Sequence, residues 1–199
     1  LATYQARNAT LPDNFGNFER VREKLSHTAS DKPFTFVVVG DTRSKGTFEL
    51  LAQDINAANP SFIVMLGDWV DGGRTAWHDY FRSECREYGF SAPVFFTPGN
   101  HDVDPVTYPL ETFEREYGPR NFSFVYNESL FVFISHLDSR FSNQESLNYL
   151  RSLAGQDIGK YRKRLVFMHI PPWVSPDIKE RHTEDETELM RILEELHID

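Results

Sequence analysis

Downstream of Pro33 the apolar positions come in short blocks set apart by amphipathic stretches, a pattern that predicts alternating strands and helices. The blocks at 34–39, 61–66 and 93–97 have strand length, and the segments between them at 47–58 and 74–88 repeat their apolar residues at helical spacing. Such alternation implies βαβ units, with a sheet covered on both faces. A short helix is expected at 107–117. Strands at 121–126 and 130–135 follow, and the connection Asn127-Glu128-Ser129 is short enough to make that pair an antiparallel hairpin. A helix at 143–153, a strand at 164–168 and a charged helix at about 183–196 complete the pattern, the last opening with Thr183 and Glu186 at capping-box spacing. Residues 1–32 are polar apart from the amphipathic set Phe18, Val21 and Leu25, so they are expected to form an N-terminal arm with one short helix ahead of a single domain at 33–199. The predicted class is α/β, a layered sandwich of mixed sheets flanked by helices.

Composition narrows the functional classes. The 199 residues are 40% hydrophobic and 26% charged, enough for one globular core. No apolar run approaches the roughly 18 residues of a membrane span, so none is expected. Thirty acidic against 21 basic residues leave a formal charge of -9, which offers no broad cationic surface for a nucleic-acid duplex, although a bound metal can reverse the sign locally. The lone Cys85 excludes an internal disulfide framework and a thiolate zinc cluster; it reads as a small buried side chain on a helix.

The candidate chemistry lies where strands end. Four apolar strands run directly into loops of Gly, Asp, Asn or His: Gly40-Asp41-Thr42-Arg43, Gly67-Asp68-Trp69-Val70-Asp71, Gly99-Asn100-His101-Asp102 and Met168-His169-Ile170-Pro171-Pro172. In an open α/β sheet the ligand crevice sits at the carboxyl ends of the strands, so the four loops are expected to converge. They bring two carboxylates, one amide and two imidazoles, a donor set suited to Mn, Fe or Zn rather than to a soft metal. A carboxylate bridging two such ions can lower the pKa of a shared water and clamp phosphoryl oxygens, which makes this a candidate two-metal hydrolase site.

These four loops, in this order, resemble the calcineurin-like metallophosphoesterase family, with Gly99-Asn100-His101-Asp102 the most specific piece and a likeness spanning about 34–196. The resemblance implies that Asp41 binds one metal, that Asp68 bridges two, and that Asn100 and His169 hold the second, the ions being divalent or trivalent Mn, Fe or Zn. It further implies that His101 donates to the phosphoryl oxygen or leaving group of a phosphate-ester substrate and that Asp102 orients it. The sequence departs from the family pattern twice. Arg43 stands where the family usually has a metal-binding His; a guanidinium has no free lone pair, so Arg43 either grips a substrate phosphate or pairs with a neighbour such as Asp71. The family's closing Gly-His-x-His is not found, and the chain is expected to be a piece that stops before it.

Among the remaining candidates, Asp71 reads as a loop-fixing carboxylate, Asp138 as a turn cap, and His136 as a core or rim residue. His27, His78 and His182 are expected to face solvent. Trp69, Trp77 and Trp173 either wall the phosphate site or pack the loops. Two functions follow: metal-dependent hydrolysis of a phosphomonoester or phosphodiester by metal-bound hydroxide, or a binding or scaffold module that keeps the fold without the chemistry. Oligomeric state is not legible.

Overall fold

Three hydrophobic strands form the first sheet because each is apolar on both faces: β1 (Phe36–Val39), β2 (Phe62–Leu66) and β3 (Val94–Thr97) run parallel in the order β1-β2-β3. The computed structural model of the chain describes residues 10–28, 32–43, 48–172 and 185–199. Trp173, His182 and Thr183, with the capping box expected there, lie outside these residues. Alternate side chains along a strand point to opposite faces. Ile63, Met65, Val94 and Phe96 therefore pack under α2 (Phe48–Ala58), α3 (Thr75–Tyr88) and α4 (Leu110–Tyr117), while Phe62, Val64 and Phe95 turn the other way.

What Phe62 and Phe95 meet is a second sheet. Strands β4 (Phe122–Tyr126) and β5 (Ser129–Phe133) form the expected antiparallel hairpin, and β6 (Lys163–Phe167) adds parallel to β5. The hairpin turns on Asn127 and Glu128 alone, at φ 45° and 60°, the two positive values of a type I′ turn. Phe124, Phe131 and Phe133 face the first sheet; Leu130 and Val132 face α5 (Gln144–Ala154) and α6 (Glu186–Glu195). The result is four layers: helices, sheet, sheet, helices. Two sheets flanked by helices match the expected layered class, and packing decides which strands share a sheet. The inter-sheet layer is almost entirely aromatic: Phe62 stacks on Phe36 at 5.0 Å and meets Phe131 edge-on at 5.1 Å. Such pairs contribute roughly 0.5–1.5 kcal/mol beyond the burial of their area.

The segment before Pro33 is built into this body. Helix α1 (Glu19–Ser26) buries Val21 and Leu25 against the inter-sheet layer, as its amphipathic spacing predicts. Ahead of it, Phe15 bridges Val94, and Asn17 behaves like a further strand residue along β3. Its Nδ2 donates to the Phe96 carbonyl at 2.7 Å and its Oδ1 accepts from the Phe96 N–H at 2.7 Å. This short stretch covers the free edge of β3, which would otherwise present unpaired backbone groups.

His78 departs from expectation. It lies on α3 but faces inward, fully buried and stacked on Tyr108 at 3.7 Å. Its Nε2 donates to the Asp102 carbonyl (2.8 Å), so its Nδ1 must accept from the Tyr117 hydroxyl (2.8 Å), and the neutral ring is fully satisfied. Burial pushes its pKa down to about 3.

Two expected outcomes follow. Phe62→Ala removes a fully buried ring that touches six other aromatics and should cost about 3–5 kcal/mol in urea unfolding; a loss below about 1 kcal/mol would mean that the sheets do not depend on this layer. In the unfolded chain His78 protonates near its ordinary pKa of about 6.5, but in the fold only near 3. Its contribution to stability is thus intact above about pH 6.5 and lost as pH falls toward 3, on the order of 4 kcal/mol in full. The non-titrating His78→Gln variant should show a shallower loss of unfolding free energy across that window, and an unchanged slope would refute the assignment.

Candidate metal centre

The loops after β1, β2 and β3 leave the same end of the first sheet, and the loop after β6 reaches them from the second. The expected convergence therefore spans two sheets. Backbone bonds lace the loops together: the Asp41 N–H donates to the Gly67 carbonyl and the Arg43 N–H to the Asp68 carbonyl, both at 3.0 Å. The His101 N–H donates to Asp68 Oδ1 at 2.9 Å. Asp41, Arg43 and Asp68 sit at φ 56°, 50° and 55°, left-handed conformations that cost a residue with a side chain on the order of 1–3 kcal/mol and persist only where neighbours enforce them. Two glycines permit the close approach: a Cβ on Gly67 would collide with the His169 imidazole, and one on Gly99 with the Asp68 carboxylate.

Asp41, Asp68 and His169 each present a ligating atom, all within 4.8 Å of one another. Asp41 is exposed, His169 half-buried and Asp68 buried, so the cluster opens to solvent on the Asp41 side. The His169 ring is fixed by its Nδ1, 2.9 Å from the Leu66 carbonyl. A carbonyl can only accept, so Nδ1 carries a proton and the ring turns Nε2 toward Asp68 Oδ1, 3.4 Å away. A backbone-anchored imidazole beside carboxylates is how metal-binding histidines are held. The donor set fits a divalent ion.

The other candidates gather around Asp68. His101 places Nε2 3.9 Å from Asp68 Oδ2, and its Nδ1 faces the Asp71 carbonyl at 3.4 Å. Asp102 was expected to fix the His101 ring, but its carboxylate turns away from it. Oδ2 accepts from the N–H groups of Asp68 (2.6 Å) and Gly99 (2.8 Å), and Oδ1 from that of Val70 (3.2 Å). Asp102 therefore positions the loops, and the Asp71 carbonyl takes the place expected for it beside the imidazole. Burial, and next the Asp68 carboxylate, push the Asp102 carboxyl well above its ordinary range, against the pull of its three N–H donors.

Arg43 reaches both acids, with Nη1 3.5 Å from Asp71 Oδ1 and Nη2 3.3 Å from Asp68 Oδ2. These contacts are longer than those of a closed guanidinium–carboxylate fork. Asn100 lies half-buried beside His101, and its carbonyl accepts from Arg140 Nη2 at 2.6 Å.

Arg140 was not foreseen. Only Asp138 was singled out there, as a turn cap; it does accept from the Arg140 N–H, and it also holds the Arg140 guanidinium at 3.0 Å. The spacing Asp-x-Arg after a strand was the available signal. Of the tryptophans, Trp69 is fully buried against Phe96 and Tyr117 and packs its loop rather than walling the site, while Trp77 is partly exposed.

Comparison with known proteins agrees with this architecture. The fold is similar to that of a dimetal phosphatase from Danio rerio (13% identity, TM-score 0.61, covering 80% of this chain and 77% of that one). It is similar to the purple acid phosphatase PPD1 of yellow lupin (18% identity, TM-score 0.56, 82% and 36%). It is also similar to GAP50, the anchor in the inner membrane complex of Plasmodium (16% identity, TM-score 0.54, 82% and 63%). The chain thus spans 36% of the lupin enzyme's length and 63% of the Plasmodium protein's. At these identities the likeness is one of fold. No curated protein is significantly similar to the chain in sequence. The sequence profile of the calcineurin-like phosphoesterases, however, matches residues 11–199, and with the loop order and acid–imidazole cluster described above it identifies the chain as a member of the calcineurin-like phosphoesterase family.

Proposed function

We propose that this chain hydrolyses phosphomonoesters or phosphodiesters at a two-metal centre, with Asp41, Asp68, Asn100 and His169 as the ligands supplied by the described residues. The observation that carries the reading is the clustering of Asp41, Asp68 and His169 ligand atoms within 4.8 Å, with the His169 ring anchored through Nδ1 so that Nε2 points to Asp68. Bound there, the ions would supply an acidified water and charge neutralisation at the phosphoryl oxygens.

The rest falls to the chain's own groups. Asp68 offers one oxygen on each side of its carboxylate, toward His169 and toward Arg43, which suits a bridging role. Asp102 keeps the Asp68 and Gly99 loops in register through its three backbone bonds. His101, with Nδ1 toward the Asp71 carbonyl, leaves Nε2 free of a side-chain hydrogen bond among the described residues, so that in its imidazolium form it would donate to a phosphoryl oxygen or pass a proton to the departing oxygen as the P–O bond breaks. Arg43 supplies a second donor for the phosphoryl group. The alternative, a scaffold without chemistry, is favoured by one contact: Arg43 partly neutralises Asp68 and so competes with a cation for it.

Metal analysis and hydrolysis of p-nitrophenyl phosphate and its bis ester with added Mn separate the two readings. About two ions per chain with turnover is the expected result; no metal uptake and no turnover would establish the scaffold. Asp68→Ala should lose bound metal, and retention of both ions would overturn the bridging role. His101→Ala should lower kcat about 10²- to 10⁴-fold with metal content unchanged, and equal loss of both would reassign His101 as a ligand.

A further inference from the structure

Sharing His101 with the proposed centre, a cleft of about 280 Å³ is lined by Gly73, Arg74, Asn100, His101, Asp104 and Arg140, among others. Its character runs against the net charge of -9. Two guanidinium groups face it, and they are held differently. Arg140 is preset by Asp138 and by the Asn100 carbonyl, which together occupy Nε and Nη2; no bond to its Nη1 is formed by the described residues. The Arg74 side chain is exposed and makes no hydrogen bond or ion pair among the described residues. Arg74 also stands at the N-cap of α3, where no side chain caps the first N–H groups, so the positive end of a 14-residue helix opens beside it.

The one carboxylate lining the cleft is already engaged. Asp104 Oδ1 accepts from the N–H groups of Val106 (2.9 Å) and Thr107 (2.8 Å) and from the Thr107 hydroxyl (3.1 Å), and those backbone bonds hold its carboxyl below its ordinary range. The cleft wall is fixed rather than open to adjustment: a Cβ on Gly73 would run into the backbone of Val103 and Asp104. The site is polar and presents two guanidinium groups, and it shares His101 with the reacting centre.

We propose that this cleft is a second anion subsite, in which Arg74 and the free edge of Arg140 hold a further phosphoryl group of the substrate, so that the preferred substrates are diphosphates or bisphosphates rather than simple monoesters. This rests on the hydrolytic reading of the Asp41–Asp68–His169 cluster. A planar guanidinium donating in pairs to phosphate oxygens is the recognition chemistry, and a preset Arg140 spends little side-chain entropy in making it.

The test compares kcat/KM for inorganic pyrophosphate with that for p-nitrophenyl phosphate, with Mn, in the wild-type chain, Arg74→Ala and Arg74→Lys. Arg74→Ala should lower the pyrophosphate to p-nitrophenyl phosphate ratio roughly five- to tenfold, the size expected of one exposed charge-assisted contact, and Arg74→Lys should restore part of it. An unchanged ratio in Arg74→Ala would overturn the subsite. Should the wild-type chain hydrolyse neither compound, the hydrolytic reading fails, and binding then tests the cleft by itself. In EDTA, inorganic pyrophosphate should shift the Nε–Hε NMR signals of Arg74 and Arg140 in a saturable way, and signals that do not move would refute the proposal.

Discussion

Everything at the proposed centre depends on one buried carboxylate. Asp102 gathers the backbone N–H groups of Asp68, Val70 and Gly99, and so ties the turn after β2 to the turn after β3. Without it three donors inside the protein would be left unpaired, at roughly 1–3 kcal/mol each, in the two loops that must hold left-handed Asp68 against His101 and His169. The tie also explains a division of labour. With both its oxygens turned to main-chain donors, Asp102 makes no bond to the His101 ring, whose Nδ1 faces a carbonyl on the neighbouring loop instead.

Strain and charge collect at the same place. Asp41, Arg43 and Asp68 all occupy left-handed backbone conformations, and the two acids stand near each other with one of them buried. Folding alone would disperse such an arrangement: like charges repel, and the backbone strain is unfavourable. It survives because the cross-loop bonds from Asp41 to Gly67 and from Arg43 to Asp68 over-determine the geometry, and because Arg43 offers a partial counter-charge. A site held this way is organised before any ligand arrives.

The elements were legible in the sequence because each has a strong pattern: β1 and β2 are apolar at every position and β3 at all but Thr97, and α1 through α6 repeat at helical spacing. The loop residues Asp41, Asp68 and His169 were legible too, since short polar turns after apolar strands mark a crevice. Which strands share a sheet was not. Phe62 and Ile63 read alike as hydrophobic residues, and only three-dimensional packing sends one toward Phe131 and the other toward the helices. His78 is expected to face solvent because it is an imidazole, yet it shares the helix face of buried Phe81 and Cys85, and Tyr108 and Tyr117 enclose it. The orientation of Asp102 and the presence of Arg140 depended on contacts between loops 34 and 40 residues apart, which no local pattern encodes.

The backbone pairing that Asn14 to Asn17 lay along β3 bears on how the chain comes together. Asn17 meets Phe96 across 79 residues of sequence, a closure whose chain entropy alone is on the order of 4 kcal/mol. So remote a contact forms late, after β1, β2 and β3 have paired through their nearer connections. Until it does, β3 is a phenylalanine-rich strand with a bare edge, the kind of surface on which two copies of a nascent chain pair with each other. The few residues around Asn17 thus act as a closing seal, and the interval before they dock is when the molecule is most exposed to aggregation.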